Sequence, residues 1–380
     1  MKILLFGEFN RTHWNIKEGV RHLGHEAHVV STRDGFKKVN VDIEIKHYFE
    51  GYLLKKLRRL FIRFFNIDIH AISVKHQILK NKNKLSGHDI VQFINEAPFD
   101  FSRQDQLHIF KQISSWNKHS FLLSAGLDYP SVKFAFDKQF RYSILSPYFE
   151  KKGSKKDFSP ALSYLTPQHL ILHNYIFKTI KGVISNDLDY HIPLKGHNKY
   201  LGMIPHAINC NEVTFNLIAP TNKIVIFHGI NRQNYYKKGN DIFEAALDIV
   251  KEKHGNLIRI STVEDLPYHE YITKFDEAHI LLDQVYAYDQ GFNALEAMAM
   301  GKVVFTGAEQ EWLDYYNLKE DTVAINALPD TNDIANKLEW LILNPKKIQE
   351  ISHNAREFVE KHHNYIDIAK QYLEKWQSQL

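Results

Sequence analysis

Residues 289–302 read Asp289-Gln290-Gly291-Phe292-Asn293-Ala294-Leu295-Glu296-Ala297-Met298-Ala299-Met300-Gly301-Lys302, with Val303-Val304-Phe305 directly after. Just upstream, Ala278-His279-Ile280-Leu281-Leu282-Asp283 is an apolar run of strand length. A loop carrying Gly291 follows, then a compact helix of good helix formers that Gly301 closes as its C′ residue. Another apolar, β-branched run begins at once. Strand, glycine turn, helix, strand is a βαβ unit whose helix starts at the carboxyl edge of a parallel sheet. The backbone N–H groups from Gly291 and Phe292 to Asn293 and Ala294 have no partner inside that helix, so this end attracts an anion such as a diphosphate. Any parallel-sheet protein also buries Ala/Met-rich helices, and on this stretch alone that plainer reading stays open.

A chain of 380 residues exceeds one ordinary core and predicts two domains. Hydrophobic content of 44% and charged content of 24% are those of a globular protein, which excludes the disordered and fibrous classes. No apolar run reaches eighteen residues, so no transmembrane helix is expected. Met1 to Glu8 turns polar too early for a signal peptide. Cys210 is the only cysteine, which rules out internal disulfides and fits a reducing cytoplasm. Residues 1–200 carry 31 Lys+Arg against 18 Asp+Glu, a net of +13; residues 201–380 carry 17 against 26, a net of −9. A basic half beside an acidic half predicts that the first meets something anionic.

Along the chain, Lys2–Phe6 is a strand turned by Gly7, Trp14–Leu23 has helical spacing, and Glu26–Ser31 is a second strand. Gly7-Glu8-Phe9-Asn10 lacks the second and third glycines of a dinucleotide fingerprint. Gly51 to Phe65 interleaves Lys55, Lys56, Arg58, Arg59 and Arg63 with Leu and Phe. Two readings stand side by side: a basic amphipathic helix on an anionic membrane, or an ordinary domain helix with a solvated basic face. Strands are expected at His88–Ile94, Ser120–Ala125, Lys181–Asn186, Lys223–Gly229 and Leu257–Thr262. Helices are expected at Asp241–His254, Pro267–Ala278, Thr331–Leu343, Pro345–His362 and Ile366–Trp376. Arg232, Lys237, Lys238 and Gly239 follow the strand that ends at Gly229, and cations beside a helix N-terminus suit a dianionic leaving group.

The "LEAMAMGKVVF" half of the opening stretch resembles the donor-site motif of GT-B glycosyltransferases, most like family 4, the large retaining group. "KILLFGE…GVRHLGHEAHVVS", Leu201-Gly202-Met203-Ile204-Pro205-His206, the Arg232…Lys238-Gly239 array and the C-terminal helices resemble the same family in the same order. The resemblance implies two Rossmann-like α/β domains with parallel sheets facing across a cleft: residues 1–205 as acceptor domain, 206–362 as donor domain, and 363–380 packing back on the first. It implies transfer of a sugar from a UDP- or GDP-linked donor to a hydroxyl of a glycan or lipid-linked acceptor, in bacterial-type cell-surface polysaccharide or glycoconjugate synthesis, with retention. It makes Glu296 the ribose ligand, Arg232 and Lys238 the diphosphate clamp, and Gly229, Gly291, Phe292, Asn293 and Ala294 donor-site backbone. Gly7 opens a loop facing acceptor and sugar. Tyr288 stands where the family's first motif glutamate approaches the sugar, and Glu264 with Asp265 edges the base or ribose. Asp128, after the strand that ends at Ala125, is an acceptor-side candidate in the family frame and a turn residue in the plain one. Asp187-Leu188-Asp189 mimics the metal motif of the other glycosyltransferase class in the wrong βα context, so no metal, no cofactor and no nucleic-acid partner are expected. A sugar-nucleotide epimerase of the same architecture and a non-catalytic nucleotide-sugar or glycan-binding module are the rival readings.

Overall fold

The computed structural model describes residues 1–32, 39–49, 51–217, 223–264, 266 and 268–380. Two parallel sheets organise it. The first contains β1 (Lys2–Phe6), β2 (Glu26–Ser31), β3 (Ile43–Glu44), β4 (Ile90–Phe93), β5 (His119–Ser124), β6 (Gly182–Ser185) and β7 (Tyr200–Met203), in the order β3-β2-β1-β4-β5-β6-β7. The second contains β8 (Ile224–Ile230), β9 (Ile258–Glu264), β10 (Ile280–Leu282), β11 (Val303–Thr306) and β12 (Ile325–Asn326), in the order β12-β11-β10-β8-β9. Both orders reverse direction once, between β1 and β4 and between β8 and β10. A parallel sheet opens a crevice beyond its carboxyl edge at such a point.

The central strands are apolar on both faces, as helices covering both sides of a sheet require. Ile3, Leu5, Val29, Phe121 and Leu123 pack on one face of the first sheet, and Leu4, Phe6, Val91, Phe93 and Leu122 on the other. The second sheet is packed on one side through Ile224, Ile226, Phe243, Ile280, Val303 and Leu338. Its other side joins Phe227, Leu281, Val304 and Leu295 to Leu188, Met203 and Ile208 of the first half, so apolar packing runs without a break from one half into the other.

Element ends shift by a residue or two from expectation: the first helix is Thr12–His22 and the strand expected at His88–Ile94 is Ile90–Phe93. The larger departure lies between β5 and β6. That connection contains helices Tyr129–Phe136, Ser146–Phe149, Lys155–Leu162 and Pro167–Thr179, all four carrying a proline within the first two positions or inside. It bulges toward the second half as a strap centred on residues 140–142.

The helix Tyr365–Gln377 returns to the first sheet and packs on Thr12–His22. Its Trp376 reaches the cleft by a buried polar chain. Trp376 Nε1–H donates to Gln92 Oε1 (3.1 Å), Gln92 Nε2 to His13 Nε2 (3.2 Å), and His13 Nδ1–H to the Gly7 carbonyl (2.8 Å). Burial lowers the His13 pKa to about 4, which keeps the ring neutral and able to donate from one nitrogen while accepting at the other.

Candidate active site

Beyond the two switch points lies a cavity of about 620 Å³, lined from both halves. Glu8, Phe9, Asn10 and Thr12 come from the turn after β1, Asn95 and Pro98 from the loop after β4, and Gly126 and Ser131 from the region after β5. Asn186, Asp187 and Asp189 follow β6, and His206 follows β7. The second half contributes Gln284, Tyr286, Ala287, Gly291 and Phe292. Gly291 is the N-cap of the helix Phe292–Ala299, so the positive end of that helix opens into the cavity.

The floor is carboxylic and built by both halves. Asp189 accepts the Tyr288 backbone N–H (3.1 Å), and Asp289 accepts from Leu188 N (3.2 Å) and Gln290 N (2.7 Å). Each half thus holds the other's backbone with a carboxyl group. Burial first, and neighbouring carboxylates second, push Asp289 up to about 8; burial pushes Asp187 up to about 7 and Asp189 well above the usual range. His206, its Nε2 3.9 Å from Asp187 Oδ2, is pulled down to about 4 by burial and is a neutral ring at physiological pH. Carboxyls raised toward or above neutrality and a neutral imidazole form a pocket of paired donors and acceptors with little fixed charge, which suits sugar hydroxyls. Among the described residues, no group of three or more His, Cys, Asp or Glu is arranged to hold a metal ion.

The expected site residues scatter about this cavity. Gly291 and Phe292 line it; Asn293 and Ala294 sit behind them in the first turn, Ala294 fully buried in the core. Glu296 is half-buried one turn further along the helix. Lys238 does not line the cavity. Its Nζ lies 3.0 Å from Oδ1 of the buried Asp283, one residue before Gln284 at the end of β10. Gly239 has φ +73°, and a Cβ there would stand 2.6 Å from Val285, so a side chain would push Lys238 away from β10. Gly229 lies in β8 beneath Tyr271. Gly7 adopts φ +92°, where a Cβ would meet Ile94 at 2.5 Å.

Four residues stand differently from what the resemblance implies: Arg232, Glu264, Tyr288, and Asp128, for which the plain turn reading fits. Arg232 faces away from the cavity: it forms a two-pronged ion pair with Glu264 (2.7 Å for Nη2–Oε2) on a separate surface pocket of about 270 Å³ with Tyr236 and Lys237. Glu264, expected at the base or ribose, is the partner in that pair, and Asp265 lies outside the described residues. Asp128 caps the helix Tyr129–Phe136, taking Ser131 N–H (2.9 Å) and the hydroxyls of Ser131 and Ser124, so its carboxylate is consumed locally while its neighbours line the cavity. Tyr288 is buried under the strap rather than open to a sugar: its hydroxyl accepts Arg141 N–H (2.9 Å), and the Arg141 guanidinium lies 4.8 Å above its ring.

Arg141, which sequence reasoning passed over, clasps the halves together. Its guanidinium meets Glu309 (2.6 Å) and Glu311 (2.6 and 2.8 Å), and Tyr142 donates to Glu309. Asn186, Asp187, Asp189 and His206 were also missed as cavity residues. The Asp187-Leu188-Asp189 spacing was visible, but it signals a metal only in another fold, and here it reaches across to a backbone.

Residues 232–374 match the family model described as "Glycosyl transferase-like". That match spans less than half of the chain and lies within the second half, starting just after β8. Among curated proteins none matches this chain. Solved structures match over its whole length. Sucrose-phosphate synthase from Thermosynechococcus elongatus is 15% identical with a TM-score of 0.61, over 100% of this chain and 99% of that one. Anabaena HepE, solved with UDP and glucose, is 15% identical with a TM-score of 0.57 over 100% of both. A putative UDP-N-acetylglucosamine 2-epimerase from Listeria monocytogenes is 12% identical with a TM-score of 0.50, over 98% and 95%. The fold is therefore GT-B, and residues 232–374 are similar to a glycosyl transferase-like domain.

Proposed function

We propose that the protein is a glycosyltransferase that takes a sugar from a nucleotide diphosphate sugar, UDP-linked in the first instance, and passes it to a hydroxyl of a glycan or lipid-linked acceptor. The bond between the anomeric carbon and the diphosphate oxygen breaks, the bond to the acceptor oxygen forms, and the acceptor proton leaves with the nucleotide or to solvent. The single observation that carries this reading is the cavity between the two switch points, into which the helix N-terminus at Gly291 opens from a glycosyl transferase-like domain. HepE, a protein of the same fold solved with UDP and glucose, supports the choice of a UDP donor.

In this reading Glu296 holds the ribose, and the helix end with Lys238 stabilises the departing diphosphate. The carboxyls of Asp187, Asp189 and Asp289 and the ring of His206 orient the transferred sugar. Retention at the anomeric carbon and a role in cell-surface polysaccharide or glycoconjugate synthesis belong to the same proposal. So does a reaction on the cytoplasmic side of a membrane, with the net +13 of residues 1–200 turned toward an anionic surface.

The epimerase reading rests on the Listeria likeness and predicts a different product. Incubation with UDP-, GDP- and dTDP-sugars, with and without acceptor, separates the two. Free nucleotide released with acceptor supports transfer. An isomerised donor supports epimerisation. Binding without turnover leaves only a binding module, and overturns the proposal.

A further inference from the structure

Every long helix so far described buries a face against a sheet. The helix Tyr52–Phe65 does not: none of its fourteen residues is buried. Leu53 is 75% exposed and Phe64 69%, with Leu57 and Leu60 between them at 42% and 43%. These four recur at the spacing i, i+4, i+7, i+11 and make one continuous apolar stripe. Lys55, Lys56, Arg59 and Arg63 form a second stripe along its flank. Among the described residues none of the four makes an ion pair, and residues 51–67 contain no Asp or Glu.

Arg58 behaves differently from the other cations. It turns inward, with Nε and Nη2 on Asp68 (2.8 and 2.7 Å) and Nη1 on Asp100 (3.2 Å). That pair fastens the helix to the loop after β4. The same loop supplies Asn95 and Pro98 to the cavity, so whatever the helix touches is brought close to the cleft mouth.

We propose that this helix is an interfacial docking element for an anionic phospholipid bilayer, lying in the membrane plane with Leu53, Leu57, Leu60 and Phe64 below the headgroups. It deepens the acceptor reading above and rests on it only for what the docking serves. Fourteen residues make about 21 Å of helix, too short to cross an apolar layer of about 30 Å. The charge pattern selects the occupant. A protein groove would need a row of acids ruled beside an apolar trough in matching register, whereas an anionic bilayer presents phosphates beside hydrocarbon at every position.

The test is vesicle flotation of the whole chain with phosphatidylcholine alone and with phosphatidylcholine plus phosphatidylglycerol, at low and high salt. The wild type floats with the anionic vesicles at low salt only. A charge variant, K55Q/K56Q/R59Q/R63Q, and an apolar variant, L53S/L60S/F64S, each leave Arg58 in place. Each cation at headgroup level contributes on the order of fivefold to partitioning, so the charge variant, four cations fewer, loses roughly several hundredfold. The apolar variant loses binding while keeping its charge. UDP binding and the thermal transition stay at wild-type values in both, which excludes misfolding. Wild-type protein that stays unfloated at low salt overturns the proposal. So does a charge variant that floats as well as wild type, or a concentration-dependent dimer in light scattering that the apolar variant dissolves. Turnover of nucleotide sugar without flotation sinks the docking alone; flotation without turnover sinks the transferase reading alone.

Discussion

Glu296 stands one turn into the helix that Gly291 opens, half-buried and close behind the cavity wall. If it holds a ribose by two hydrogen bonds, Glu296→Gln weakens UDP affinity by about 2–3 kcal/mol and leaves the thermal transition alone; calorimetric titration with UDP checks both. Lys238 is a different case, because it already neutralises the buried Asp283. Lys238→Ala therefore lowers kcat and also costs about 1–3 kcal/mol of stability by stranding that carboxylate. Lys238→Ala/Asp283→Asn restores the stability and not the kcat, a split that steady-state kinetics beside thermal melts reveals. Glycines and helix formers made the Gly291 helix legible in the sequence, since both act through local backbone geometry. Tyr288 was not legible in the same way: what it touches is decided by Arg141, 147 positions earlier.

At the scale of elements, the carboxyl floor joins the halves through backbone hydrogen bonds, and its acids carry pKa values near 7 and 8 when buried. An acid whose folded pKa exceeds its unfolded value near 3.8 loses stability as pH climbs between the two. His206, depressed to about 4, acts in the opposite sense up to its ordinary value of 6.5. With three acids against that one ring, net loosening of the halves is expected to begin near pH 4 and to be steepest from about pH 6.5 to about pH 8. The melting temperature followed across that window falls in the wild type and falls less in Asp289→Asn. The strap from β5 to β6 is the second joint: Arg141→Ala removes three charge-assisted hydrogen bonds, and a larger solution radius of gyration is the expected outcome. Apolar runs of strand length announced β1, β2, β4, β5, β6, β8, β9, β10 and β11 but not the short β3 and β12 or β7, and the strap, made of short helices that carry prolines, has no period to read.

For the whole molecule, the order of motifs along the chain was enough to anticipate two sheets across a cleft, because parallel β/α units admit few arrangements. Which polar groups meet inside was not, since such pairings join residues hundreds of positions apart. The chain Trp376–Gln92–His13–Gly7 is one of these. Gln92→Leu leaves the Trp376 N–H and a His13 nitrogen without partners, costing about 1–3 kcal/mol each. Chemical denaturation reads the stability loss, and UDP titration of the same variant is expected to stay near wild type, because Gln92 lies in the first sheet and the helix end at Gly291 in the second.

That buried chain also sets a timetable. Gly7 leaves the ribosome long before the helix that anchors it by way of His13 and Gln92, which is made only after both sheets have emerged. With synthesis at about 5–20 residues per second, the first sheet waits of the order of twenty seconds or more, its Ile3 and Leu5 face covered only in part by Ile16 and Val20 of the helix Thr12–His22. The second sheet, meanwhile, closes on strands of its own neighbourhood. A nascent chain of this protein therefore completes its first half last, and a chaperone that shields the early strands is the companion such a schedule calls for.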